Sequence, residues 1–222
     1  GTAKKDSKFN IGPLNTFVSY NSVEGLRLRA GGVTTANLSP HLFARGYAAY
    51  GFRDHRWKYN AELEYSFNRK KYHASEFPVH SITVQQRFDT DQLGQRYLFT
   101  NADNMFLALK RGDNHLIAYR RDTRLKYKIE LKNNFSFALD AGLKRMEGGP
   151  WMRPDGAVLG HYNQLELSAT LRYAPGEKFM QTTSERISVN RDAPVLQLSH
   201  LYIPKGVWGA PWGVNRTEFS VE

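Results

Sequence analysis

From Trp57 to Phe67 apolar and polar side chains alternate without a break. Trp57, Tyr59, Ala61, Leu63, Tyr65 and Phe67 fall on one side, and Lys58, Asn60, Glu62, Glu64 and Ser66 on the other. A period of two is the side-chain repeat of a β-strand, whereas a helix would mix the two sets. The pattern recurs along the chain. Leu125, Tyr127, Ile129 and Leu131 alternate with Arg124, Lys126, Lys128 and Glu130. Leu165, Leu167, Ala169, Leu171 and Tyr173 alternate with Gln164, Glu166, Ser168, Thr170 and Arg172. Phe135, Phe137, Leu139, Ala141 and Leu143 oppose Ser136, Ala138, Asp140, Gly142 and Lys144, and shorter alternations start at Leu26 and Ile82. The stretch 42–52 alternates more loosely, and 104–110, 115–121 and 195–202 are further candidates. The expectation is an all-β, antiparallel, up-and-down chain of roughly nine or ten strands, joined as sequential hairpins, with almost no helix.

Arg53-Asp54-His55-Arg56, Arg111-Gly112-Asp113-Asn114 and Lys132-Asn133-Asn134 read as short polar turns. Stretches 68–78, 89–102, 147–160 and 175–194 read as longer loops, the third holding Gly148-Gly149. Residues 204–213, rich in proline and glycine, cannot sustain a ladder and are expected to be irregular, with Trp208 and Trp212 as anchors.

Soluble sandwiches and membrane barrels both alternate, so length and chemistry must separate them. Strands of soluble proteins run to about 5–6 residues, and membrane-spanning strands to about 9–11. A strand the length of 57–67 is about 37 Å long, which a tilt of roughly 40° reduces to about 28 Å, the height of a bilayer core. The polar side carries dense charges of both signs: Lys58, Glu62, Glu64, Lys126, Lys128, Glu130, Asp140, Lys144, Glu166 and Arg172. That suits a barrel lumen, with Trp57, Tyr59, Leu63, Tyr65 and Phe67 facing lipid. Aromatic residues at strand ends suit interfacial girdles. The rival reading is a soluble basic β domain that binds an anionic polymer, a polysaccharide or nucleic acid.

Composition adds exclusions. The chain has 222 residues, 31 Lys and Arg against 21 Asp and Glu, a net charge of +10 and no cysteine. A disulfide framework, a thiolate zinc site and a cysteine nucleophile are excluded. No apolar run reaches the ~18 residues of a transmembrane helix. The opening Gly1-Thr2-Ala3-Lys4-Lys5-Asp6 is polar and lacks the apolar core of a signal peptide. Seven histidines form no HExxH pair. Ser199 and His200 are adjacent in a strand and so face opposite ways, and Asp192 with them makes no catalytic triad. Glu62 and Glu64 read as a charge ladder. No catalytic, cofactor-binding or metal-ligating residue is expected, and the chain is not read as an enzyme. Basic residues are spread over all strands and loops, which argues against nucleic acid. Arg69-Lys70-Lys71 and Arg120-Arg121 suit contacts with lipopolysaccharide phosphate.

Tyr20-Asn21-Ser22-Val23-Glu24-Gly25, followed by Gly46-Tyr47-Ala48-Ala49-Tyr50-Gly51-Phe52-Arg53-Asp54 and Trp57-Lys58-Tyr59, resembles an uncharacterised family of Bacteroidota outer-membrane proteins. Gln92-Leu93-Gly94-Gln95 and Asp103-Asn104-Met105-Phe106-Leu107 look similar to the same family. In that family a carboxypeptidase-like regulatory domain precedes a β-barrel distantly like the surface-antigen barrels of the BamA type. The resemblance implies an outer-membrane location, membrane lipid as partner and a transport, assembly or scaffold role, without catalytic residues or cofactors. Family members are several hundred residues long. The chain therefore reads as part of a larger barrel, with residues 1–22 a leader segment and 23–222 barrel strands and loops. Its first and last strands should then lack a shared ladder and pair with the rest of the barrel or with another chain.

Overall fold

The structure, a computed structural model, describes residues 7–11, 18–21, 23–92, 117–152, 158–183, 185–190 and 193–221. The strands are β1 (Phe9–Ile11), β2 (Val18–Asn21), β3 (Gly25–Thr34), β4 (Leu42–Gly51), β5 (Trp57–Ser66) and β6 (His80–Gln92). They continue with β7 (Ile117–Glu130), β8 (Phe135–Met152), β9 (Val158–Tyr173), β10 (Phe179–Gln181), β11 (Arg186–Ser188), β12 (Leu196–Ile203) and β13 (Val214–Val221). All but β10 and β11 belong to one antiparallel sheet ordered β1-β3-β4-β5-β6-β7-β8-β9-β12-β13, with β2 beside β1 along the same edge of β3. Among the described residues the only helical element is the three-residue 3-10 turn Val207–Gly209. The fold is all-β with neighbours paired in chain order, as the alternation implies.

Several boundaries differ from the sequence reading. The stretch 147–160 is no long loop: β8 runs to Met152 and β9 starts at Val158. Gly148, at φ 83°, forms a bulge inside β8, where the register with β9 shifts between Glu147 and Trp151. Residues 115–121 and 124–131 are one strand, not two, as far as they are described. The stretch 175–194 contains the β10–β11 hairpin, and residues 1–22 contribute β1 and β2 to the sheet. The final strand β13 lies beyond the expected end of the ladder. Candidate strand 104–110 and the 111–114 turn lie outside the described residues. Residues 204–213 are irregular around the 3-10 turn, with Trp208 exposed and Trp212 packed on Tyr162 at 4.7 Å. β1 and β13 are not paired among the described residues, so the sheet is open there.

The sheet is inside out by the standard of a soluble domain. Along β5, Trp57, Tyr59, Ala61, Leu63 and Tyr65 are exposed, while Lys58, Glu64 and Ser66 are buried. Val84, Leu125, Leu139, Leu143, Leu167, Leu171 and Leu198 are exposed on the same side of β6, β7, β8, β9 and β12. Glu24 and Lys58 are 0% exposed and Asp122 is 2% exposed. The buried apolar cluster is small: Ala118, Met146 and Tyr162, with Leu159 and Trp212 against it.

Contacts across non-adjacent strands show that the sheet curls around its polar side. Arg27 in β3 reaches Asp89 in β6 at 2.8 Å. Two strands separate them, and neighbouring strands lie about 4.8 Å apart, so a flat sheet would hold the pair roughly 14 Å apart at the backbone.

Candidate functional site

The concave polar face is the candidate site. At the end that carries the β4–β5 turn, Lys58 lies between two carboxylates, with Nζ 2.8 Å from Glu24 and 2.6 Å from Asp54. Tyr119 donates a hydrogen bond to Asp54 at 2.7 Å. Arg27 donates two hydrogen bonds to Asp89, at 2.8 and 3.1 Å, and the Tyr47 hydroxyl donates to the same carboxylate. This planar, two-point pairing is the strongest ordinary form of a charged hydrogen bond. Burial pushes the Asp54 carboxyl up, but hydrogen bonds from Lys58 and Tyr119 and the Lys58 charge outweigh it and hold it below the usual carboxylate value.

The middle of the face is organised by Arg124. It donates to Asp140 at 2.6 Å and pairs with Glu166, which Lys144 also approaches at 3.3 Å. Arg120 pairs with Asp122 at 2.5 Å and Asp91 at 3.1 Å. Arg45 bridges Glu62 at 2.7 Å and Glu64 at 2.6 Å.

At the opposite end a cavity of about 520 Å³ opens among Arg45, Glu64, Lys126, Asp140, Arg172 and Arg186. The β10–β11 hairpin bounds it. Arg186 pairs with Glu130 at 2.6 Å and lies over the rings of Phe179 and Phe77, and Gln181 accepts the Phe77 amide hydrogen bond at 3.2 Å. The 67–79 connection folds on itself: Glu76 accepts backbone hydrogen bonds from Lys71, Tyr72 and His73, and Lys70 donates to Pro78 O at 2.7 Å. Burial lowers the pKa of Lys70.

The structure buries or half-buries all the charges read from the sequence as facing inward, save Lys128, whose side chain is 48% exposed beside Glu130. Their shared polar face suggests Lys126, Lys128 and Arg172 as partners for Lys58, Glu62 and Glu64, and the partners in the structure are different. Lys58, Glu62 and Glu64 do not pair with Lys126, Lys128 or Arg172: Arg172 pairs with Glu177 at 2.7 Å, and Lys126 has no carboxylate in ion-pair range among the described residues. Trp57, Tyr59, Leu63, Tyr65 and Phe67 are exposed. Phe67 lies just beyond the end of β5, tilted against His80 at 4.5 Å. The alternation places Arg124 on the polar side but does not mark Glu24, Asp54, Asp89 and Asp122 as inward-facing. Asp54 lies in a turn and Glu24 before the first long strand, where a strand period gives no facing. Lys70, read as a contact to lipid phosphate, is buried, so Arg69 and Lys71 alone remain exposed there. No group of three or more metal-ligating side chains occurs among the described residues.

Residues 1–146 match the C-terminal domain of a family of unknown function, DUF5686. The chain belongs to this family. No curated protein and no solved structure matches it. The DUF5686 match covers β1 to β7 and most of β8, the part of the sheet that holds Lys58, Arg27, Asp89 and Arg124.

Proposed function

We propose that this chain is part of an outer-membrane β-barrel, with its charged face turned to the lumen and its apolar face to lipid. The observation that carries the reading is the inversion of burial. Lys58 and Glu24 have no solvent exposure while Trp57 and Leu63 are 66% and 50% exposed. Water would penalise that arrangement on both faces, since charged groups are seldom buried and large contiguous apolar faces are seldom left open. A bilayer removes the penalty on the outside. Strand length supports the same reading: β3, β4 and β5 each have 10 residues, and β6 to β9 have 13 to 18, against about 9–11 needed to span.

The stretches 20–25 and 46–54 support assignment to the Bacteroidota outer-membrane family in which a carboxypeptidase-like regulatory domain precedes the barrel. Within the transport, assembly or scaffold roles, the ion pairs that neutralise the polar face favour a structural wall or a narrow passage over a wide pore. The partners are membrane lipid and, at the open edges, the rest of a larger barrel or another chain.

Detergent dependence tests the reading. The chain should fold only in detergent micelles or vesicles and aggregate in buffer. A monodisperse, folded species in buffer that binds heparin with a steep salt dependence would instead establish the soluble, polymer-binding domain.

A further inference from the structure

Among the described residues the apolar face carries a charged patch near the β4–β5 turn. Tyr59, Phe88, Arg121 and Arg145 form a continuous cross-strand row through β5, β6, β7 and β8. Two arginines therefore stand directly opposite each other on adjacent strands, an arrangement that like-charge repulsion disfavours. Arg145 is partly compensated by Glu147 at 2.6 Å, with both side chains more than a third exposed. Among the described residues no carboxylate lies in ion-pair range of Arg121, which rests over the Phe88 ring at 5.2 Å. One row away Tyr119 stacks on Phe88 at 5.9 Å and 14°, and Arg56 lies over Tyr119 at 4.5 Å. Arg121 and Arg145 thus share a single carboxylate, Glu147, beside a floor of aromatic rings, while Arg56 lies over Tyr119, whose hydroxyl is held by Asp54. Below the row the same face turns apolar, with Leu125 and Leu143 exposed.

We propose that Arg121 and Arg145, with Arg56 beside them, hold the phosphomonoester head group of a membrane lipid. The inference rests on the outer-membrane reading and adds a ligand to it. A phosphate dianion between two guanidinium groups turns the repulsive pair into two charge-assisted, planar contacts. The Tyr59, Phe88 and Tyr119 rings suit the head-group level of a bilayer, and the exposed leucines continue the site towards the acyl chains. A ligand confined to water would have no use for that apolar continuation.

The test uses the full chain inserted into phosphatidylcholine vesicles doped with phosphatidic acid, extracted in mild detergent, with the retained lipid measured by mass spectrometry. Phosphatidic acid should be enriched over phosphatidylcholine, and Arg121→Gln and Arg145→Gln should each reduce the enrichment about fivefold, the value of one basic residue at a charged membrane surface. Lys132→Gln, in the exposed turn at the other end of the sheet, should leave it unchanged. Insertion without enrichment, or enrichment that survives both arginine substitutions, overturns the proposal and leaves the barrel reading intact. Enrichment abolished by millimolar inorganic phosphate assigns the site to free phosphate and overturns the lipid assignment. Failure to insert even into pure phosphatidylcholine removes the barrel reading, and this proposal with it.

Discussion

Lys58 has no solvent exposure and two carboxylates within 2.8 Å. Removing it takes the nearest cation from buried Glu24, which keeps Arg27 at 3.4 Å, and from half-buried Asp54, which keeps the Tyr119 hydrogen bond, and that costs more than the loss of a surface ion pair. Lys58→Ala should destabilise the folded chain by about 3–5 kcal/mol, read by denaturant unfolding in micelles. Asp54 gives the same network a pH dependence. Its folded pKa lies below the ordinary carboxylate value, so the unfolded state binds more protons in the window between the two. The stability that Asp54 contributes is complete above the unfolded value and is lost as pH falls through the folded one. Asp54→Asn should therefore be less stable than the parent at about pH 7, with the gap closing below about pH 4. Equal gaps at both pH values would show that Asp54 does not titrate with folding. The inward direction of Lys58 was legible from the alternation alone. Its partners were not, because Glu24 and Asp54 reach it from a segment before β3 and from a turn.

At the scale of elements, the alternating strands were read correctly where both faces carry strong side chains, as in β5, and missed where they do not. β13 pairs Asn215, Thr217, Phe219 and Val221 against Val214, Arg216, Glu218 and Ser220, a weak contrast in which only the ladder to β12 reveals a strand. Arg120-Arg121 looked like one basic cluster. In the strand, Arg120 pairs with buried Asp122 and Arg121 lies in the opposite, outward row with Phe88. The Gly148-Gly149 pair looked like a loop, yet the strand continues through it by placing Gly148 at φ 83°. Three residues of β8, 148–150, stand opposite Gly160 alone, and glycine meets the positive φ without strain. The nearest atom to an added Cβ at Gly148 is 3.8 Å away, so there is no clash and the backbone alone sets the cost. Gly148→Val should lower stability by about 1–3 kcal/mol. Gly160→Val, where a Cβ meets nothing within 4 Å and no positive φ arises, should change stability little. A comparable loss at both positions in the same unfolding assay would remove the positive φ of Gly148 as the cause.

For the whole molecule, the sequence pattern carried the architecture because facing is a property of every second residue. Pattern could not carry closure, which depends on what the β1 and β13 edges meet, nor curvature, which appears only when Arg27 reaches Asp89 across two strands. The environment of the apolar face can be tested at one position. Leu63 sits midway along the run from Trp57 to Phe67, is 50% exposed, and lies between Ala44 and Val84 on the neighbouring strands. An arginine there should cost about 2–4 kcal/mol if the face meets the centre of a bilayer. The same substitution on a water-exposed sheet face should stay within roughly 0.5 kcal/mol, and the added charge should improve solubility. Because Leu63→Arg leaves the charged face and its ion pairs untouched, the difference reports on the solvent of the apolar face alone. A large loss of stability in vesicles supports the barrel. Unchanged stability removes Leu63 from the bilayer midplane, and with unchanged behaviour in buffer it favours the soluble sheet.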